Sequence, residues 1–461
     1  MKNYDFKNAV VGTNVLVPVL GGAKKKYINF DNAASTPPLK YVWETLHKFK
    51  DYYSSVHRGT GFKSIISTKA YDDAHVKALR FVGADPGCFT AIFMKNTSDA
   101  LNKLARRINF RRGDIVLSSL MEHHSNDLPW RAAAKTVHIE IDGLGYLDLD
   151  DYKKKLKKYG RKVRLVAVTG ASNVSGLIPP LKKMAEMAHR AGAEFLVDAA
   201  QLTPHRKIKM GKPGEPDSFD YLAFSAHKMY APFGTGVLIG PKKIFLRGDP
   251  DSVGGGTVNY VTRSEVQWAH LPDKEEAGSP NVVGAVALSA AIDFLDKAGF
   301  SRIAAHEKEL TRYALERFSD IDGVTLYGPK TWVAGEDRVG AISFNVDNHY
   351  HAAAAAILSY EGAIAVRNGC FCAHPYIQRL LRLSDKDSKV YRDEINRKIR
   401  SHIPGMIRIS FGLYNTRSEI DRFFEMLEKI VTRKYKGNYY VGRRSGEAFP
   451  RNFRFPRMTG F

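Results

Sequence analysis

Between residues 29 and 240, short apolar runs rich in β-branched residues alternate with amphipathic stretches, and no other feature limits the fold as much. Strands buried on both faces read as continuous apolar runs, and joining them in parallel requires helical crossovers. The pattern predicts strands at 90–94, 115–118, 163–169, 194–197, 221–224 and 235–239. Between two of them, Leu181, Met184, Ala185 and Ala188 keep helical spacing over 180–191, and Gly192 is a stop signal. This is a βαβ unit. A helical stretch at 282–295 follows, then strands near 323–327, 340–346 and 406–411 and a closing helix over 418–431. The expected class is α/β, a mostly parallel sheet plus a smaller C-terminal α/β domain. The expected division is an N-terminal arm (1–28), a large domain (29–302), a small domain (303–434) and a basic aromatic tail (435–461).

A chain of 461 residues, 44% hydrophobic and 26% charged, suffices for two packed domains and reads as soluble and globular. The longest small-apolar run, 352–358, is far too short to cross a bilayer, so no membrane partner is expected. The apolar run 9–20 resembles a signal peptide faintly, but Asp5 precedes it and Pro18 interrupts it, so it reads as an arm packed on the body. Three cysteines (Cys88, Cys370, Cys372) argue against a disulfide framework and for a reducing compartment, the cytoplasm. The net charge of +22 is partly concentrated: from Arg433 onward eight Lys/Arg face Glu447 alone, interleaved with aromatics such as Tyr435, Tyr439, Phe455 and Phe461. That composition suits either nucleic-acid contact or a tail folded back through its aromatics, the second being the commoner case. The lysines of 153–162 read as one face of a solvated helix.

In open α/β sheets ligands collect beyond the carboxyl ends of the strands. Ser225, His227 and Lys228 stand together there after an apolar strand. A lysine desolvated beside a histidine loses basicity and can condense with an aldehyde, whereas in isolation it is an ordinary loop lysine. Thr97 or Ser98 can cap a helix whose free N–H groups favour phosphate. Asp198 ends an apolar strand, a place that suits a carboxylate facing a protonated ring nitrogen, a helix cap or a salt bridge, and Gln201 follows three residues on. His123 and His124 follow another strand, where an imidazole either stacks on a flat cofactor or closes a loop; no neighbouring ligand set favours metal. Asn173 holds the matching position after 163–169. Together, these groups would bind pyridoxal 5′-phosphate.

The order of N-F-D-N-A-A-S-T-P (29–37), M-E-H-H-S-N-D-L-P-W (121–130), L-V-D-A-A-Q, S-A-H-K-M-Y-A-P-F-G-T-G, E-A-G-S-P-N (276–281), V-R-N-G-C-F-C-A-H-P (366–375) and R-I-S-F-G-L-Y-N-T (408–416) resembles the class V aminotransferase fold. Within it, the chain is similar to cysteine desulfurases of the SufS or group II type, and the resemblance implies the fold type I of pyridoxal-phosphate-dependent transferases, with a mostly parallel seven-stranded-type sheet in the large domain. The resemblance implies that Lys228 is the Schiff-base lysine, His123 the ring-stacking acid/base, Asp198 the partner of the pyridine nitrogen and Gln201 the contact to the ring hydroxyl. Thr97, Ser98, Ser225 and His227 would hold the phosphate, joined by Ser279 of a second subunit, which implies a homodimer. Arg408 would grip the substrate carboxylate, with Asn173 and Arg367 lining the same pocket. Cys372 would take sulfur from L-cysteine as a persulfide, leaving L-alanine, and pass it to a sulfur-acceptor protein, with Arg367 and His374 favouring its thiolate.

Three features depart from the compact desulfurases: a charged insertion within 376–405, the tail, and Cys370, which makes R-N-G-C-F-C similar to molybdenum cofactor sulfurases. Cys370 is expected to trap Cys372 as a disulfide or to accept its sulfur. Other functions compatible with the same motifs are aminotransferase, epimerase, kynureninase-like lyase and selenocysteine lyase.

Overall fold

The computed structural model describes residues 6–454 except residue 334; the tail aromatics Phe455 and Phe461, with Asp5, lie outside the described residues. Seven strands form the central sheet, in the order Phe89–Met94, Gly236–Pro241, Tyr221–Ser225, Glu194–Asp198, Val163–Thr169, Ile115–Ser119, Lys135–Ile139. Every neighbouring pair is parallel except those made by Gly236–Pro241, which runs against both of its neighbours.

Side chains alternate across this sheet as strand pleating requires. Leu117, Val166, Val168, Phe195, Val197, Leu222 and Phe224 enter one core, while Val116, Leu165, Ala167, Leu196, Tyr221 and Ala223 enter another on the opposite face. Both layers contain helices, Leu181–Arg190 and Val282–Ala298 on the first and Thr97–Arg107 on the second. This burial on both faces is why the strands lack polar alternation. The sequence pattern missed Lys135–Ile139, an edge strand whose residues are mostly half-exposed.

A separate antiparallel sheet, ordered Val324–Tyr327, Ala341–Val346, Met406–Ser410, Arg367–Gly369, packs with Phe300–Ser319 and Arg417–Val431 around a second core. Ile28 and Phe30 belong to this second core, and Ile28–Asn29 pairs in parallel with Ile364–Ala365. The chain therefore links the two cores before it enters the central sheet. Within 376–405 the chain forms the helices His374–Leu380 and Asp385–Asn396, the latter closed by a Ser384/Asp387 capping box and with no buried residue. The tail is a hairpin, Tyr439–Val441 with Ala448–Pro450, laid on the helix His351–Gly362. Among the described residues no helix is long and apolar enough to cross a membrane.

Candidate active site

A cavity of about 250 Å³ opens at the carboxyl ends of the parallel strands. Thr97, Ser98, His123, Asn173, Asp198, Gln201, Ser225, His227, Lys228, Arg367, Cys372 and Arg408 all line it. Ser279 does not: it is exposed in a neighbouring depression with Lys95, Thr235 and Asn281. The loop that carries it is firmly held, because the Glu276 carboxylate accepts from the Tyr71 hydroxyl, the Phe93 N–H and His75 Nε2 (2.9 Å).

Lys228 follows the strand Tyr221–Ser225, whose carbonyl end delivers it to the cavity floor. Burial lowers its pKa to about 8; Arg408 acts in the same sense, while Asp198 opposes it. Burial, and then Lys228, hold His227 at about 4 and His123 at about 3, so both imidazoles are neutral. His123 is further fixed by Ser125, whose Oγ lies 2.9 Å from its Nδ1 and whose N–H donates to the same atom. Ser125 Oγ also meets Ser98 Oγ. Sequence reasoning passed over Ser125, although it stands two residues after His123 in a run already singled out.

The helix Thr97–Arg107 points its first turn at the cavity. Its cap is Asn96, whose side chain accepts from the Asp99 N–H at 3.0 Å; the expectation that Thr97 or Ser98 caps it is corrected by this geometry. Asn96 alone has the extended backbone of an N-cap, which leaves Thr97 and Ser98 within the first turn. The Thr97 N–H donates to Ser225 Oγ (2.8 Å) and the two hydroxyls are 2.6 Å apart, which ties the helix start to the strand end.

Asp198 is 4% exposed, its carboxylate accepts only the Ala200 N–H (3.0 Å) among the described residues, and burial raises its pKa. Nearby, Glu122 is a second buried carboxyl that the sequence did not flag. It accepts from Asn126 (2.7 Å), the Thr169 N–H (3.0 Å) and Ser119, and burial pushes it up to about 8. Gln201 donates to the Ala33 carbonyl (3.1 Å), while its buried Oε1 has no partner among the described residues.

On the opposite wall, the buried Arg408 guanidinium donates to the Asn173 carbonyl (2.8 Å) and to Asp31 (2.9 Å), and sits over the Phe371 ring. Its Nε is buried without a partner among the described residues. Arg367, half exposed, is 3.6 Å from the same Asp31 carboxylate. Phe371 and Cys372 both have left-handed backbone (φ 47° and 53°), a tight turn pinned by Asn173 Nδ2 on the Phe371 carbonyl (2.8 Å) and by the His124 N–H on the Cys372 carbonyl (2.6 Å). The Cys372 side chain is exposed. Cys370 differs: its Sγ donates to the Pro404 carbonyl (3.3 Å), and burial followed by Cys372 pushes its pKa up to about 11. His374, beside this turn, stacks on His124.

These residues fit a phosphorylated pyridine. Among the described residues, Asp198 lacks a cationic partner at hydrogen-bond distance and Gln201 Oε1 lacks a donor that a ring hydroxyl would supply, and paired hydroxyls at a helix start suit a phosphate. A mostly parallel sheet with such a strand-end lysine defines a pyridoxal-phosphate enzyme of the aminotransferase type.

The chain belongs to the class-V aminotransferase family, whose model matches residues 28–423. It is similar to a probable cysteine desulfurase of Halalkalibacterium halodurans, 35% identical over 92% of this chain and 98% of the relative. A cysteine desulfurase of Haloferax volcanii is 32% identical over 87% of this chain and 88% of the relative. Among solved structures, the apo cysteine desulfurase of Thermococcus onnurineus NA1 superposes with a TM-score of 0.77 at 32% identity, covering 88% of this chain and 95% of that one. The cysteine desulfurase CsdA of Escherichia coli, in its S-sulfonic acid form, gives 0.74 at 25% identity, covering 89% and 96%.

Proposed function

We propose that this chain is a pyridoxal-phosphate cysteine desulfurase that converts L-cysteine to L-alanine and carries the sulfur as a persulfide on Cys372. One observation carries the reading: the thiol-bearing turn at Cys372 and the lysine at 228 line the same small cavity. The names of its relatives support it. Bound pyridoxal phosphate supplies the electron sink for the pair left at the substrate Cα.

The protein residues act around it. Lys228, with its pKa near 8, serves as the amine that holds the cofactor aldehyde and moves protons at the substrate. Asp198 would hold the ring nitrogen in its protonated form, Gln201 would accept from the ring hydroxyl, and neutral His123 would cover the ring. Thr97, Ser98, Ser225 and His227 would hold the phosphate, with Ser279 of a partner subunit completing the set in a homodimer. Arg408, with Arg367 and Asn173, orients the substrate carboxylate. Cys372 attacks the substrate sulfur as a thiolate. The large and small domains meet at this cavity, each contributing one wall, and three free cysteines suit a cytoplasmic, reducing setting.

The test is Cys372→Ala loaded with cofactor and given L-cysteine. Alanine formation and protein-bound sulfane sulfur should be abolished while the cofactor's visible absorbance stays; continued alanine formation at the wild-type rate would refute the reading.

A further inference from the structure

Cys372 stands in the wall between two cavities. The inner one holds Lys228; the outer, about 690 Å³, is lined by Cys370, Cys372, Arg367, Arg400, His351 and Glu447, among others. The two pockets share the segment of Arg367, Phe371 and Cys372, and among these only Cys372 carries a nucleophile. Its backbone is pinned by Asn173 and His124, whereas no hydrogen bond holds its sulfur among the described residues, so the side chain is free to turn from one cavity to the other.

The outer cavity is built by the segments that set this chain apart. Ile395, Arg400, Ile403 and Pro404 come from the insertion, and Ser445 to Glu447 come from the tail, beyond residue 423 where the family match ends. The tail strap lies directly on the insertion: the Arg400 N–H donates to the Arg443 carbonyl (2.8 Å), and a β-carbon at Gly446 would stand 2.8 Å from the Arg400 carbonyl oxygen. Two guanidiniums line the cavity: Arg400 has no carboxylate partner among the described residues, Arg367 lies 3.6 Å from Asp31, and Glu447 is the one acid among the described lining residues. Residues 376–405 carry eight Lys/Arg against four Asp/Glu. A volume of this size suits a small molecule.

We propose that this outer cavity is an acceptor site for a small anionic thiol, which takes the sulfur from Cys372 and is oriented by Arg400. The inference rests on Cys372 carrying a persulfide. The thiol, having given its proton to solvent, attacks the outer sulfur as a thiolate. The sulfur–sulfur bond breaks, its electron pair returns to Cys372 Sγ, and the product leaves as a small-molecule persulfide. Nothing else is oxidised or reduced. Cys370 is the weaker competitor, because its thiol donates to the Pro404 carbonyl and burial raises its pKa to about 11, which disfavours the disulfide or sulfur transfer expected from R-N-G-C-F-C.

The experiment loads cofactor-bound enzyme with L-cysteine, removes the free amino acid, and follows loss of sulfane sulfur from Cys372 by mass spectrometry. Three thiols of similar size are added: 2-mercaptoethanesulfonate, 2-mercaptoethanol and cysteamine. Arg400→Gln should slow discharge by the sulfonate about tenfold, the value of one charge-assisted contact. Discharge by mercaptoethanol and formation of the persulfide should not change, and Arg400→Lys should recover most of the sulfonate rate. Equal slowing of all three thiols, or no slowing of the sulfonate, would overturn the acceptor site while leaving the desulfurase reading intact. Absence of any persulfide on wild-type Cys372 would instead overturn the desulfurase reading on which it rests.

Discussion

Lys228 illustrates how far a single residue's chemistry depends on its surroundings. An ordinary lysine titrates near 10.5; burial brings this one to about 8. A base whose folded pKa is lowered destabilises the fold wherever the unfolded chain would be charged, so the penalty is largest below pH 8 and fades as pH rises towards 10.5. Cofactor-free Lys228→Met should therefore be more stable than cofactor-free wild type at pH 7, by about 3 kcal/mol. Urea unfolding across pH should show that gap closing by pH 10.5. The residues that end strands were readable because carboxyl ends of parallel strands point at one place. Asp31 and Glu122 were not, since each acts through a partner distant in sequence or through burial that no local pattern reports, and for Ser125 the same holds of its tie to Ser98 but not of its bond to His123.

At the scale of elements, the strands of the central sheet were legible through their unbroken apolar character, and of these seven only the half-exposed edge strand Lys135–Ile139 escaped. Element ends were less so: Asn96, Thr97 and Ser98 put three capping residue types in a row at the start of Thr97–Arg107, and only backbone geometry singles out Asn96 as the cap. The helix Phe300–Ser319 enters the first core through Phe300 and Ile303 and is tied beside it by a buried carboxylate. Glu307, 5% exposed, meets His205 (2.8 Å) and Arg206 (2.6 Å) and accepts the Gly340 N–H (2.9 Å). Burial alone would raise its pKa, but these partners outweigh burial and hold it at about 2. The resulting stabilisation is present above the unfolded value of 4.5 and is lost as pH falls towards 2. Glu307→Gln should cost about 3 kcal/mol at neutral pH, with the difference from wild type shrinking through that acid window in a denaturation series.

Across the whole molecule, the tail as far as Arg454 is part of the body. Glu361 accepts the N–H groups of Lys436 (2.9 Å) and Gly437 (2.8 Å) and the Tyr439 hydroxyl (3.1 Å), Tyr435 and Tyr439 pack on the second core, and Ala448 meets Ala352 and Ala356. Of the two tail readings the composition allowed, these contacts are the folded-back one; charge alone did not separate them because the anchoring acid lies some 75 residues upstream in the chain. Truncation after Val431 should lower the melting temperature by about 5 °C or more, since it removes these hydrogen bonds and their apolar cover. Differential scanning calorimetry of the cofactor-loaded protein would check this.

The shared grip of Arg408 and Arg367 on Asp31 also bears on how a charged amino acid is admitted. A carboxylate reaching Arg408 does not meet a bare cation: two guanidiniums are already offset by one tethered carboxylate, so the field that draws it in is roughly that of a single charge and recruitment of substrate should respond only weakly to ionic strength. Selectivity then comes from the shape of the fork rather than from long-range attraction.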